Sequence, residues 1–589
     1  MRSILKNTLS TFLGLFVFSF FFVFLIVIFT FYSTSTTATV SIKPNSVMKL
    51  NFQGGIIDRT PEKGFDDIMS LPNEAPKGIA LNDFLKVIDR VKSDDNIKGV
   101  VMNMNSVNAS WAALEEVRNK LKELKDTGKF IIAYSDMYFN KNYYLASVAN
   151  EVFLTKNGEF LFNGLSRKIT FFKNTLDKLG VKVQTFKVGK FKSAVEPFLL
   201  DKMSEANRKQ NLSFLNSFYD KMLEGISEER NLNISLLDKI ADSLLIRSDK
   251  DAFKYRMVDR LVYKDQIIDI IKKKLELSFD DNVNYVNYNS YRKNTSDNYL
   301  DIGGQKIAVV FASGDIVDGK GNNKSIGGAK LSKEIRKIRK DKDVKAMVLR
   351  VNSPGGSALA SEIIWREIQK TKEKMPVIVS MGNVAASGGY YISCLADTIV
   401  AQPNTITGSI GVFGLLPNMK DFLEEKMGFT FDLVKTGEYG DLGSTTRQVT
   451  SNESKIIQKR VEETYDLFLK RVAEGREMER DVVHEIAQGR VWTGTQAKEN
   501  GLVDVIGGLE TAIEIAAKKI KATDFAVSEY PQRKEKPWEY LLNAFEEKAN
   551  IDNVLKENTG KYYEHFKSVY DISKSSKIQA RIPYILEIY

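Results

Sequence analysis

Cysteine occurs once in the 589 residues, at Cys394, and histidine twice, at His484 and His565. A single thiol excludes an intrachain disulfide in any compartment. Neither histidine lies near a Ser or Asp motif, and no H-E-x-x-H or comparable spacing occurs, so a Ser-His-Asp triad and a histidine-based zinc site lack support. No metal and no cofactor is expected. Cys394 sits in an apolar helical run and reads as a small buried residue. The net charge of +10 comes from 85 basic against 75 acidic residues spread along the chain. No basic stripe with interleaved aromatics appears, which argues against nucleic acid as a partner.

What is abundant at the N-terminus is apolar surface. Residues 9–32 (LSTFLGLFVFSFFFVFLIVIFTFY) carry no charge, and at ~1.5 Å per residue such a helix crosses ~30 Å of hydrocarbon. A cleaved signal peptide needs an apolar region of only ~7–15 residues, so an uncleaved anchor in the lipid bilayer is the preferred reading. Arg2 and Lys6 precede the run and Lys43 is the next charge. That asymmetry puts the short N-terminus in the cytoplasm and the bulk of the chain on the extracytoplasmic side. Residues 1–48 are therefore read as cytoplasmic tip, anchor and tether. A chain this long exceeds one hydrophobic core. A first α/β unit with its linker is expected over 49–304, a second over 305–525, and an extension over 526–589 that reads as helical and carries no chemical motif.

The two units are copies. SDMYFNKNYYLASVA (135–149) falls on GNVAASGGYYISCLA (382–396) at an offset of 247, which pairs Tyr143-Tyr144 with Tyr390-Tyr391 and Asn140 with Ser387. VVMNMNSVNAS (100–110) falls on MVLRVNSPGGS (347–357) at the same offset, with Val107-Asn108-Ala109 in place of Pro354-Gly355-Gly356. Only the second copy keeps a serine and a glycine pair. At a third place the loss is reversed. VGKFKSAVEPF (188–198) matches TGEYGDLGSTT (436–446), so Lys192 faces Gly440. An arbitrary lysine is a solvated one, but this one stands inside a repeated segment. Two half-degraded copies with complementary survivors predict one composite site.

The second unit alternates apolar runs (IAVVFA, AMVLRV, VIVSM, TIVAQ) with helical stretches, the pattern of parallel strands buried on both faces. VNSPGGS and GNVAASGG follow two such strands, at the carboxyl edge where these sheets hold ligands. A serine hydroxyl needs a base to become nucleophilic. A lysine amine serves only if its pKa falls from ~10.4 by about three units, about 4 kcal/mol, which burial can impose. Ser409, in TITGSIG, is a candidate hydroxyl to hold the amine in line and equally reads as a turn serine. Gly355 or Gly356, with Gly388 after the serine, are placed to offer N–H groups to an oxyanion.

VNSPGGS, GNVAASGGYY, TGSIGVFG, VGKFKSAVEPF and GRVWTGTQAKENGLVDVIGG together resemble the S49 family of serine proteases, in the long tandem-domain form of its signal peptide peptidases, over roughly 50–525. The resemblance implies two ClpP/crotonase-like domains, Ser387 as nucleophile and Lys192 as general base. It also implies a homo-oligomeric bowl, a tetramer, at the bacterial inner membrane with its catalytic domains in the periplasm. Its substrates would be remnant signal peptides. A crotonase-type acyl-CoA enzyme and a noncatalytic membrane scaffold are the competing readings.

Overall fold

The computed structural model describes residues 10–22, 42–52, 54–59, 78–295, 305–322, 324–532 and 578–581. Residues 10–22 are helical and exposed, and the rest of the apolar run at 9–32 lies outside the described residues. Among the described residues, no helix is long and apolar enough to cross a membrane.

The first unit is built on β1 (Ser46–Asn51), β2 (Ile97–Asn103), β3 (Phe130–Tyr138), β4 (Glu151–Phe160), β5 (Lys182–Val188), β6 (Arg260–Leu261) and β7 (Asn284–Asn287). All but β5 form one parallel sheet in the order β6-β4-β3-β2-β1-β7. The second unit contributes β8 (Gln305–Ser313), β9 (Val344–Ser353), β10 (Gly355–Ser357), β11 (Val377–Ala386), β12 (Thr398–Ala401), β13 (Ile406–Gly408), β14 (Val412–Asn418), β15 (Val491–Thr493), β16 (Val505–Ile506) and β17 (Phe525–Tyr530). Its parallel sheet runs β16-β12-β11-β9-β8-β17, the same order strand for strand. Register repeats as well. Tyr138 pairs with Phe160 in the first sheet and Ala385 with Thr407 in the second, both partners advanced by 247.

The apolar-throughout strands are covered on both faces, as such strands must be. Ile307, Val309, Ala346, Val348 and Ile378 pack on Leu509, Ala512 and Ala516 of the helix Leu509–Lys519. The alternate residues Ala308, Val310, Met347, Leu349 and Val379 pack on Ile364, Trp365 and Ile368 of the helix Ala358–Lys372.

A smaller sheet joins the units. β5 leaves the first unit and pairs antiparallel with β14 from Val188↔Val412 to Lys182↔Asn418. The other edge of β14 carries a last strand, β18 (Ile578–Arg581), which also pairs antiparallel with β10. A second tie is ionic. The buried Arg350 guanidinium contacts Glu116 (2.6 Å) and Asp58 (2.9 Å) of the first unit.

One expectation is corrected. The polar stretch 287–304, read as linker, begins with a helix, Tyr288–Thr295, whose Tyr288 and Tyr291 are buried in the first core. Of the extension, residues 526–532 and 578–581 are described: β17 runs on to Tyr530 at the edge of the second sheet, and β18 lies far from it in sequence; the stretch read as helical, from 531 onward, falls almost wholly outside the described residues. Residues 533–577 lie outside the described residues, as does His565.

Candidate active site

β11 ends at Ala386, and at Ser387 the chain turns at once into the short helix Gly388–Tyr391. The turn holds Ser387 at φ +55°, ψ −115°, a conformation that costs of order 1–3 kcal/mol and persists only where the surroundings impose it. Here the Ser387 N–H donates to Gly408 O (2.8 Å) and the serine is fully buried. Gly388 opens the helix, so its N–H is one of the donors without an intrahelical acceptor.

Lys192 reaches the serine from the other unit. β5 carries the chain to a turn in which Lys192 N donates to Gly189 O (3.2 Å) and Phe191 N to Gln488 O (2.9 Å). The side chain is 1% exposed. Its Nζ donates to Ser387 Oγ at 2.9 Å, to Ser409 Oγ at 3.1 Å and to Ser409 O at 3.2 Å. Burial lowers the amine from its ordinary 10.5 to about 7. No ion pair to Lys192 occurs among the described residues, so nothing offsets that desolvation. The sequence-predicted Ser387, Lys192 and Ser409 thus come together within one chain.

The glycines differ among themselves. Gly355 and Gly356 have φ +101° and +155°, and a Cβ on Gly356 would lie 1.9 Å from Ile316 O, so neither position accepts a side chain. A Cβ on Gly355 would lie 2.7 Å from Gly388 N, so the two backbones meet beside Ser387. The Gly355 N–H is engaged with Ser353 Oγ (3.2 Å). That narrows the candidate oxyanion donors to Gly356 and Gly388.

Three supporting residues escaped the sequence reading. Gly489, at φ +76°, lies so close to Lys192 that a Cβ would fall 2.6–2.8 Å from its backbone and Cβ. A Cβ on Gly411 would touch Lys192 Cδ at 3.3 Å. Gln210 Nε2 donates to Phe191 O (3.1 Å) and Ser193 Oγ (2.8 Å), and Gln210 Oε1 accepts from Val491 N (3.4 Å), which clamps the lysine turn to the second unit. The glycine-rich TGSIG stretch was the one available signal, for Gly411. Cys394 is buried and its thiol raised by burial, in keeping with a packing role. His484 pairs with Tyr465 Oη (2.9 Å) within the second unit.

Known proteins are similar to this chain. "Protease 4" of Haemophilus influenzae is 35% identical over 506 residues, 83% of this chain and 82% of its own. "Protease 4" of Salmonella typhi is 36% identical over 77% of this chain and 74% of its own. "Serine protease SPPA, chloroplastic" of Arabidopsis thaliana is 33% identical over 81% and 70%. Among solved structures, a point mutant of ClpP1 from Listeria monocytogenes is similar over 35% of this chain and 94% of its own, at 15% identity and a TM-score of 0.24. Residues 123–278 and 369–523, one stretch from each copy, match the family described as "Peptidase family S49", and with relatives at this identity over most of the chain the protein belongs to that family and is a serine protease.

Proposed function

We propose that the protease works through a Ser-Lys dyad, with Ser387 as nucleophile and Lys192 as general base. The observation that carries this reading is the buried amine 2.9 Å from the serine oxygen. A neutral amine has two hydrogens and one lone pair. The hydrogens are satisfied by Ser409 O and Oγ, which leaves the lone pair for the Ser387 hydroxyl proton. Ser387 Oγ then attacks a peptide carbonyl, Lys192 passes the proton to the leaving amine, and water repeats the sequence on the acyl ester. Gly356 and Gly388 N–H groups receive the oxyanion, a contribution of several kcal/mol; Gly355 shapes their approach.

The substrates proposed are apolar peptides of the kind left when signal peptides are released. Residues 9–32 would anchor the chain in the bacterial inner membrane with both units in the periplasm, in a homo-oligomer such as a tetramer. The ClpP/crotonase-like form of each unit belongs to the same proposal. Family membership disfavours the acyl-CoA enzyme and the noncatalytic scaffold. A serine-directed fluorophosphonate tests the dyad: it should label Ser387 in the native chain and fail to label Lys192→Met. Equal labelling of both proteins would remove Lys192 as the base.

A further inference from the structure

Asn352 holds the ends of both catalytic loops. It stands near the end of β9, just ahead of Gly355 and Gly356, and its Oδ1 accepts from Val384 N (3.2 Å), just ahead of Ser387. β9 and β11 fall out of step here. Val351 pairs with Met381 and Ser353 with Ala385, so Asn352 alone faces residues 382–384. The group that orients its amide belongs to the first unit: Asn352 Nδ2 donates to Asp58 Oδ2. Asp58 Oδ1 accepts from Arg350 (2.9 Å), which also donates to Ser380 Oγ (2.9 Å) and Met381 O (3.3 Å) at the start of the same irregularity. The Asp58 side chain is 9% exposed. Its segment is fixed from both units, by Asn82 N donating to Asp58 O (3.4 Å) in the first and by Arg59 paired with Glu529 (3.3 Å) in the second.

The first unit shows the same arrangement closed within itself. Asn105, the counterpart of Asn352, accepts from Asp136 N (2.6 Å) and Ser135 Oγ (2.9 Å) and donates to Asp136 Oδ2 (2.6 Å). In the second unit Asn383 stands in the place of Asp136, and Arg350 in the place of Asn103. The carboxylate is then supplied from outside. We propose that Asp58 is a positioning residue for the reaction: through Asn352 and Arg350 it sets the serine turn against the glycine strand, so that the first unit supplies a clamp as well as a base. The proposal rests on the dyad reading above. With Asn352 unclamped, residues 353–356 and 382–387 are free to shift against each other, and Ser387 Oγ and the Gly356 and Gly388 N–H groups no longer converge on one carbonyl. A misplacement of about 1 Å costs about a hundredfold in rate.

The test compares Asp58→Ala, Asp58→Asn, Asn352→Ala and the double variant Asp58→Ala/Asn352→Ala in the full chain, by β-casein hydrolysis and by the rate and extent of Ser387 labelling with a fluorophosphonate. Asp58→Ala should lose about ten- to a hundredfold in kcat with KM within about twofold of native. Its labelling should slow in proportion yet still reach one label per chain, whereas misfolding would lower the extent. Asp58→Asn, which keeps an oxygen for Asn352, should stay within about fivefold of the native rate. The double variant should be no slower than Asn352→Ala, because residues acting through one shared bond are not additive. A native rate in Asp58→Ala, a loss that appears only as fewer labelled chains, or losses that multiply in the double variant overturn the proposal and leave the dyad standing. A Ser387→Ala chain that hydrolyses β-casein at the native rate refutes the dyad and the clamp together.

Discussion

The two units share a strand order and differ at one spot, where Ser387 and Ser409 stand at φ +55° and +50° and their counterparts Asn140 and Phe162 do not take positive φ. In the first, the residues at the positions of Ala385, Thr407 and Ser409 are Tyr138, Phe160 and Phe162. Their rings close on Tyr143, with centroids 4.8 Å (Phe160), 5.7 Å (Tyr138) and 6.0 Å (Phe162) away. Asn140, in the place of Ser387, donates to Asn163 O at 2.9 Å. In the second unit the equivalent tyrosine, Tyr390, stays buried and donates to Leu502 O (2.9 Å), but its neighbours are small. There Ser409, in the place of Phe162, sets its hydroxyl 3.1 Å from the Lys192 amine. A site was lost in one copy by aromatic packing, which stabilises through buried area. It was kept in the other at the expense of that packing, with a lysine buried and a serine strained. Gly440, opposite Lys192 in the repeat, lies on an exposed loop.

The sharpest way to break this contrast is to exchange the residues that define it. Ser387→Ala should lower kcat for peptide hydrolysis by at least ten-thousand-fold, the scale on which removal of a nucleophile acts. Adding Asn140→Ser to that variant should restore nothing, because among the described residues position 140 is hydrogen-bonded to Asn163 and to no lysine amine. Recovered turnover in the double variant, measured on purified protein, would mean that the first unit retains a cryptic site.

Lys192→Met and Lys192→Arg should each lose about a hundred- to ten-thousand-fold in kcat. The guanidinium stays protonated at every useful pH, so the arginine variant gains nothing from its charge. In the native enzyme activity should rise with pH through about 7, where the buried amine loses its proton. A pH–rate profile flat from 6 to 9 would disconnect the lysine from the chemistry.

The same lysine should be a burden on stability. Its pKa is lowered on folding, so between about 7 and 10.5 the unfolded chain binds a proton that the folded chain does not. Stability of the native protein must therefore rise with pH across that window, at up to about 1.4 kcal/mol per unit, and the deficit is fully present below about 7. Lys192→Met, apolar and of similar length, escapes the deficit. It should be more stable than the native protein by a few kcal/mol at pH 7, an advantage that shrinks toward pH 10. Denaturant midpoints of the two proteins at pH 7 and pH 9 measure it, and a gap independent of pH would mean that the amine is not desolvated in solution.

Much of this was legible in the residues. The duplication, the surviving serine and the surviving lysine all follow from two aligned copies, because a repeat turns one sequence into its own control. The contacts that hold the lysine turn do not. Gly489 and Gln210 act where loops of different units meet, and their neighbours in space are remote in sequence, so no local pattern marks them. The helix Tyr288–Thr295 was hidden by its Asn-rich composition, although Tyr288 and Tyr291 are spaced i, i+3 and share a buried face. β18 was illegible for another reason. Four residues of mixed character become a strand only because two open edges, β10 and β14, stand ready to pair with them.

Ser409 carries the smallest predicted effect. The equivalent residue in the first unit is Phe162, so a hydroxyl is no requirement of the backbone at this point. Its contribution is to accept one of the lysine's hydrogens at 3.1 Å while its own carbonyl accepts another at 3.2 Å. In Ser409→Ala the carbonyl remains and one of two orienting bonds is lost. A neutral hydrogen bond contributes about 1 kcal/mol, and a tenfold rate change corresponds to about 1.4 kcal/mol. The variant should therefore lose about three- to tenfold in kcat with KM unchanged, because the bond aims the base and does not hold the peptide. A Ser409→Ala enzyme whose KM rises while kcat holds would assign the residue to substrate binding, and the amine would then be held in line by the backbone alone.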